Sequence, residues 1–200
     1  MRFAIIDYGA SNMFSLIAAF KKINIDADII VNNVDLSKYS AIILPGVGNF
    51  SSASSTILNF KEKIINAIYN GVPLLGICLG LQLLFEKSEE GKGEGLSLFK
   101  GEVVRFPSNI KIPHMGWNLV VPQRKSELLN DINDKIWAYF AHSYYPKPVD
   151  ASIVKGVTTY GVVFPSVIEH GNIFGTQFHP EKSGNAGQII LKNFVKNVKR

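Results

Sequence analysis

Cysteine is almost absent from this 200-residue chain, Cys78 being its only one. An intramolecular disulfide is therefore excluded, and a reducing compartment is the natural expectation. Long apolar runs are also missing: none approaches the ~20 residues that a membrane-spanning helix needs. The opening stretch, Met1-Arg2-Phe3-Ala4-Ile5-Ile6-Asp7, turns polar too early for the apolar core of a secretory leader. A cytosolic, cytoplasmic protein is expected. No basic stripe interleaved with aromatics occurs, which argues against a nucleic-acid partner. The net charge of +5 is instead read as a solvated surface, and Lys192, Lys196, Lys199 and Arg200 lie on and after a predicted last helix, where cations suit the negative helix end. Repeats, low-complexity stretches and internal linkers are lacking too, so one domain over residues 1–200 is expected. Charged residues make up only 18% against 46% hydrophobic, which excludes disorder and leaves ample material for a core.

What is present alternates. Phe3 to Ile6 reads as an apolar strand ending at Asp7-Tyr8-Gly9, and Met13, Leu16, Ile17 and Phe20 follow at helical spacing. Asp28 to Val31 reads as a second strand, and Ala41 to Leu44 as a third, stopped by Pro45-Gly46. Ile57, Phe60, Ile64, Ile65 and Ile68 mark a helix that Gly71 ends. Continuously apolar strands alternating with helices indicate parallel strands covered on both faces. From Gly101 to Gln177 the pattern changes to short strands rich in Val, Ile, Tyr and Phe, an antiparallel or mixed extension. A last helix carries Ile189, Ile190, Leu191, Phe194, Val195 and Val198. The fold class expected is α/β, a doubly wound and mostly parallel sheet with an antiparallel extension.

The single cysteine sits in Gly76-Ile77-Cys78-Leu79-Gly80, between a predicted strand and a predicted helix over residues 79–85. A G-x-C-x-G step from strand to helix matches a nucleophile elbow with sulfur in place of the serine hydroxyl. The flanking glycines let strand and helix approach, and the start of a helix favours the reactive thiolate. A buried structural cysteine is the other reading. Pro45-Gly46-Val47-Gly48-Asn49-Phe50 ends the third strand, where two glycines can turn backbone N–H groups toward an oxyanion. Gln177-Phe178-His179-Pro180-Glu181-Lys182-Ser183 offers a base, His179, and an orienting carboxylate, Glu181. His114, His142 and His170 compete for the role of base. Cys78 and the histidines show no paired ligand spacing, so no metal is expected.

In this order and spacing PGVG, G-x-C-x-G and H-P-E cover the chain and resemble the class I glutamine amidotransferases, whose fold is flavodoxin-like. Within them, Pro113-His114-Met115-Gly116-Trp117-Asn118 and His142-Ser143-Tyr144-Tyr145 are similar to the glutaminase subunits of imidazole glycerol phosphate synthase. The resemblance implies that Cys78 attacks the side-chain amide of L-glutamine, with His179 as proton carrier and Glu181 orienting it. It implies an oxyanion hole at the backbone N–H groups of Val47 and Leu79, completed by a peptide flip at Gly46-Val47. Gly48, Gln82, Ser143 and Tyr144 would hold the amino-acid end of the substrate. No cofactor is implied. The implied partner is a (β/α)₈-barrel cyclase subunit, reached through Asn12, Trp117, Tyr139 and Lys182, with Trp117 either an interface anchor or a core residue. A glutaminase that feeds ammonia to amidation of a surface sugar is the other recipient compatible with the motifs. Two stretches depart from the family pattern: Ala10-Ser11-Asn12 after Asp7-Tyr8-Gly9, and Asn49 after PGVG.

Overall fold

The computed structural model describes residues 1–9, 13–32, 34–132 and 134–198. Asn12, Ala10, Ser11, Lys199 and Arg200, named above, lie outside them. Strand β1 (Arg2–Ile6) is followed by α1 (Met13–Lys21), β2 (Asp26–Ile30), β3 (Ala41–Leu44), α2 (Phe50–Ile57) and α3 (Lys61–Tyr69). Then come β4 (Leu74–Ile77), the short helix α4 (Leu79–Gln82), and strands β5 (Lys87–Ser88) and β6 (Gly101–Arg105). The second half holds β7 (His114–Pro122), β8 (Ile136–His142), β9 (Tyr144–Pro148), β10 (Val154–Tyr160), β11 (Val162–His170), β12 (Ile173–Thr176) and the last helix α5 (Gly184–Val198).

Nine strands form one sheet in the order β2-β1-β3-β4-β12-β11-β10-β7-β8. The first five run parallel, and β11, β10, β7 and β8 extend the sheet antiparallel, as the change of pattern at midchain predicts. Alternation along the parallel strands builds two cores. Ala4, Ile6, Ile42, Leu44 and Leu74 pack with Phe50, Ile57 and Ile64 of α2 and α3 on one face. Phe3, Ile5, Ile43, Leu75 and Ile77 pack with Leu16 and Phe20 of α1 and Phe194 of α5 on the other. Burying each such side chain contributes roughly 1.5–3 kcal/mol, which is why β3, β4 and β12 carry no exposed residue. A smaller sheet, β5-β6-β9, stands beside the large one.

Three elements differ from the sequence reading. The second strand begins at Asp26, not Asp28, because β2 is an edge strand whose carboxylates reach water. The helix marked by Ile57 to Ile68 is two, α2 and α3, joined by a tight 3₁₀ turn over Leu58–Phe60. Helix α2 starts inside a serine-rich run because the Asn49 side chain accepts from the N–H of Ser52, a cap worth about 1 kcal/mol; the unexpected Asn49 thus has a local role. The helix after Cys78 is regular only to Gln82. Just beyond it, the Leu83 carbonyl accepts from Leu96 N–H and the Leu84 carbonyl from the N–H groups of Leu98 and Phe99, while the Leu84 and Phe85 N–H groups bond three residues back, in the tighter 3₁₀ manner.

Candidate active site

Four of the segments singled out by chemistry follow the carboxyl ends of adjacent parallel strands, whereas Pro113 to Asn118 and His142 to Tyr145 lie on and beside the antiparallel strands β7, β8 and β9. Asp7-Tyr8-Gly9 follows β1, Pro45-Gly46-Val47-Gly48 follows β3, Cys78 follows β4, and Gln177 to Glu181 follow β12. The parallel register, with Leu44 opposite Gly76 and Ile77 opposite Thr176, brings those ends level. This is the edge at which open α/β sheets present ligands.

Cys78 turns at φ +51° and ψ −104°, a conformation a side chain rarely adopts. Such strain costs about 1–3 kcal/mol and persists only where the surroundings impose it. Here the Cys78 N–H donates to the Thr176 carbonyl at 2.7 Å, and the Cys78 carbonyl accepts from Gln82 N–H at 3.1 Å. The glycines explain themselves by contact. A Cβ on Gly80 would lie 1.9 Å from the Leu44 carbonyl oxygen, and one on Gly46 would lie 1.8 Å from that of Ile77 and 2.5 Å from the Leu79 nitrogen. The PGVG turn therefore rests on the elbow and on the N–H of Leu79, which as the first residue of a helix has no intrahelical acceptor. The buried Tyr8 hydroxyl donates to the Pro45 carbonyl and ties that turn to β1.

His179 is the histidine that the fold brings to Cys78. Its Nδ1 and Glu181 Oε1 are 2.8 Å apart, with both side chains almost fully buried. Its backbone N–H donates to the Tyr139 carbonyl at 2.9 Å, and the Ser183 hydroxyl donates to its carbonyl at 2.7 Å. Burial alone would favour the neutral ring. The neighbouring Cys78 and the Glu181 carboxylate outweigh it and push the imidazole up to about 10. Nε2, the nitrogen left free by Glu181, has no hydrogen-bond partner among the described residues. The thiol meanwhile leans on the Ala141 carbonyl oxygen at 3.8 Å. The resting arrangement is thus a charged imidazole beside the sulfur, short of a direct bond. Apo catalytic hydrogen bonds commonly tighten only with substrate. His114 and His142 are buried against each other, and His170 is exposed at the far end of β11. None of the three takes the place of His179.

A cavity of about 210 Å³ opens over Cys78 and Leu79, and Val47, Gly48, Gln82, Ser143 and Tyr144 all line it. Gln82 spends its amide N–H groups on the Tyr144 carbonyl (2.9 Å) and Gln177 Oε1 (3.3 Å), so it has only its oxygen to offer a ligand. Two contacts were not legible in the sequence. Glu90 lines the same cavity and accepts from the Phe50 N–H at 2.6 Å. The fully buried Gln177 donates from Nε2 to Cys78 Sγ at 3.6 Å. Gln177 stood inside the quoted H-P-E segment, but nothing local distinguishes an amide aimed at sulfur from one packed in a core.

Three of the residues expected at a partner surface, Trp117, Tyr139 and Lys182, lie together, while Asn12 is outside the described residues. Trp117 and Tyr139 are direct cross-strand partners on β7 and β8, with ring centroids 6.1 Å apart, and Lys182 Nζ lies 5.9 Å from the Tyr139 ring centroid. Trp117 is 55% exposed, which removes the core reading. Met115 and Trp137 are exposed beside it. Met115 and Ala141, a cross-strand pair, also line the cavity, so this apolar face runs continuously to the nucleophile.

The family model for glutamine amidotransferase class-I matches residues 4–198. The chain is 45% identical over 197 residues to the imidazole glycerol phosphate synthase subunit HisH of Methanothermobacter thermautotrophicus, covering 98% of each chain. It is 48% identical over 193 residues to the subunit of the same name from Methanocaldococcus jannaschii, covering 96% of this chain and 97% of that one. Among solved structures, PurLQS from Thermotoga maritima superposes with a TM-score of 0.80 at 20% identity, over 98% of this chain and 97% of that chain. A glutamine amidotransferase from the same organism gives a TM-score of 0.69 at 18% identity, over 100% of this chain and 84% of that chain. The chain belongs to the class I glutamine amidotransferases, and within them to the HisH subunits of imidazole glycerol phosphate synthase.

Proposed function

We propose that the cleft hydrolyses L-glutamine to glutamate and ammonia, and that the ammonia passes to a (β/α)₈-barrel cyclase subunit making imidazole glycerol phosphate and aminoimidazole carboxamide ribotide in histidine biosynthesis. The observation that carries the reading is the strained thiol of Cys78 beside the His179–Glu181 pair, in a chain with HisH relatives over nearly its whole length. The relatives' name favours the histidine pathway over amidation of a surface sugar.

In the mechanism, His179 takes the Cys78 thiol proton on Nε2, and the resulting thiolate sulfur attacks the side-chain carbonyl carbon of glutamine. A C–S bond forms, and the C=O pair moves onto oxygen. The oxyanion lies toward the N–H of Leu79 and, once the Gly46-Val47 peptide turns inward, that of Val47. One oxyanion donor is worth about 10²–10³ in rate, so that turn is large enough to hold the resting enzyme nearly silent. The raised proton affinity of His179 keeps it protonated at neutral pH, ready to give its Nε2 proton to the departing amine as the C–N bond breaks. Water, deprotonated by the now neutral ring, then cleaves the thioester to glutamate. Glu181 holds Nδ1 throughout. Gly48, Gln82, Ser143 and Tyr144 orient the amino-acid end. The exposed face around Trp117, Tyr139 and Lys182 meets the barrel, and the family resemblance assigns Asn12 to the same partner.

Cys78→Ala in the reconstituted synthase tests the assignment. Glutamine-dependent product formation falls by more than about 10³-fold, while synthesis from added ammonium salt persists. Surviving glutamine hydrolysis would remove Cys78 from the chemistry.

A further inference from the structure

Two buried imidazoles lie outside the triad, and one of them, His142, lines the same cavity. His114 and His142 are direct ladder partners on β7 and β8, 3% and 6% exposed. His142 Nδ1 is 2.8 Å from the Tyr144 carbonyl oxygen, which can only accept, so Nδ1 carries a hydrogen. Burial lowers His142 to about 3 and His114 to about 4, so each neutral ring holds one hydrogen at pH 7. His142 Nε2 must then accept, and His114 Nδ1, 3.1 Å away, must donate. His114 Nε2 in turn accepts from Asn118 Nδ2 at 3.2 Å. The His114 ring is clamped between Phe140 and Tyr160, at centroid distances of 4.8 and 4.0 Å, so it has little freedom to reorient. Every tautomer is therefore fixed by its neighbour.

The Tyr144 carbonyl is also where a second run begins. It accepts from Gln82 Nε2 at 2.9 Å; Gln82 Nε2 also meets Gln177 Oε1 at 3.3 Å, and Gln177 Nε2 meets Cys78 Sγ at 3.6 Å. The amide of Gln177 is thus oriented from one end by Gln82 and delivers an N–H to sulfur at the other. Donation to a charged acceptor is roughly twice as strong as donation to a neutral one, so this N–H is placed to support negative charge that the sulfur carries during attack.

We propose that Gln177 is a further catalytic residue, donating its N–H to the Cys78 sulfur, and that His142 and His114 are positioning residues that hold the Tyr144 carbonyl, and through it Gln82, in the arrangement this donation requires. The proposal rests on the glutaminase reading for its purpose. Its test does not, because alkylation of Cys78 involves no glutamine.

The test measures the rate of Cys78 alkylation by iodoacetamide at pH 7 in the purified chain, where the cysteine is unique. Gln177→Met, similar in size but without the N–H, lowers that rate by about tenfold, as expected for losing one hydrogen bond to a charged group. In the reconstituted synthase it lowers kcat by a similar factor with little change in KM for glutamine. His142→Leu lowers the alkylation rate and also raises KM, because the wall at Ser143 and Tyr144 moves. His142→Gln, whose amide can still donate toward the Tyr144 carbonyl, recovers most of both. Melting temperatures accompany each variant. On the unaltered chain, nitrogen-15 spectra should show His114 and His142 neutral at pH 7 with the hydrogen on Nδ1. An unchanged alkylation rate in a folded Gln177→Met variant, or a hydrogen on Nε2 of His142, would overturn the proposal. A chain that alkylates as described yet releases no glutamate in any setting would instead defeat the glutaminase reading alone.

Discussion

At Gly46 the missing side chain is itself functional, because any Cβ there would sit on the Leu79 nitrogen that the proposed oxyanion needs. The same logic governs His179. Its high proton affinity arises against burial, from the charge of Cys78 and from the hydrogen bond and charge of Glu181. Glu181→Gln removes the carboxylate's contribution, so the pKa of His179 falls. The proton needed by the leaving amine is then lost at lower pH. The alkaline limb of kcat for glutamine in the complex, set in the native enzyme by a group held near 10, should shift to lower pH in the variant. An unshifted limb would mean that Glu181 only braces the loop. At this scale the sequence was most informative about residues whose type is chemically unusual in its setting, such as a lone cysteine between glycines. It was silent on Gln177, whose role depends on a contact ninety-nine positions away.

The β7–β8 ribbon presents two different faces, one exposed and one buried. Alternation sends Met115, Trp117 and Trp137 outward and His114, Ala138, Phe140 and His142 inward. The inward histidines make a prediction about stability. Their folded pKa values, about 4 and about 3, lie below the ordinary value of 6.5, so the unfolded chain binds protons that the folded chain refuses. Their contribution to stability is complete above pH ~6.5 and is lost as pH falls toward those folded values, at up to about 1.4 kcal/mol per pH unit for each ring. Denaturant unfolding between pH 6.5 and 5 should show this slope, and His142→Gln should reduce it by roughly half. A slope that the variant leaves intact would place the acid sensitivity elsewhere. Strand and helix existence was legible wherever apolar residues repeated, as in β1, β3, β4 and α5. It was lost in α2, whose four serines between Phe50 and Ile57 hide a helix that begins at a side-chain cap. It was blurred in β2, whose edge position tolerates aspartates inside a strand. The PGVG turn, the cysteine elbow and the H-P-E segment were legible as motifs because each lies just beyond a parallel strand. The pairing of His114 with His142 was not, since it depends on the register of two antiparallel strands.

For the molecule as a whole, the apolar face around Trp117 and the nucleophile cleft are one continuous surface, joined at Met115 and Ala141. Among the described residues no helix is long and apolar enough to cross a membrane, and the proposed barrel partner would dock on this face. Trp117→Ala should weaken binding of the barrel subunit by about 30-fold or more, the loss expected of an aromatic anchor. Its half-exposed ring should leave the melting temperature of the free chain nearly unchanged. A lower melting temperature with unchanged affinity would return Trp117 to a structural role. The measurement that bears most directly on the central claim is glutamate release from glutamine by the purified chain, alone and with the barrel cyclase and its bound substrate. The account predicts slow release alone and strong stimulation by the loaded partner, as the Gly46-Val47 peptide completes the oxyanion hole. Equal release with and without the partner, or none in either condition, would contradict it.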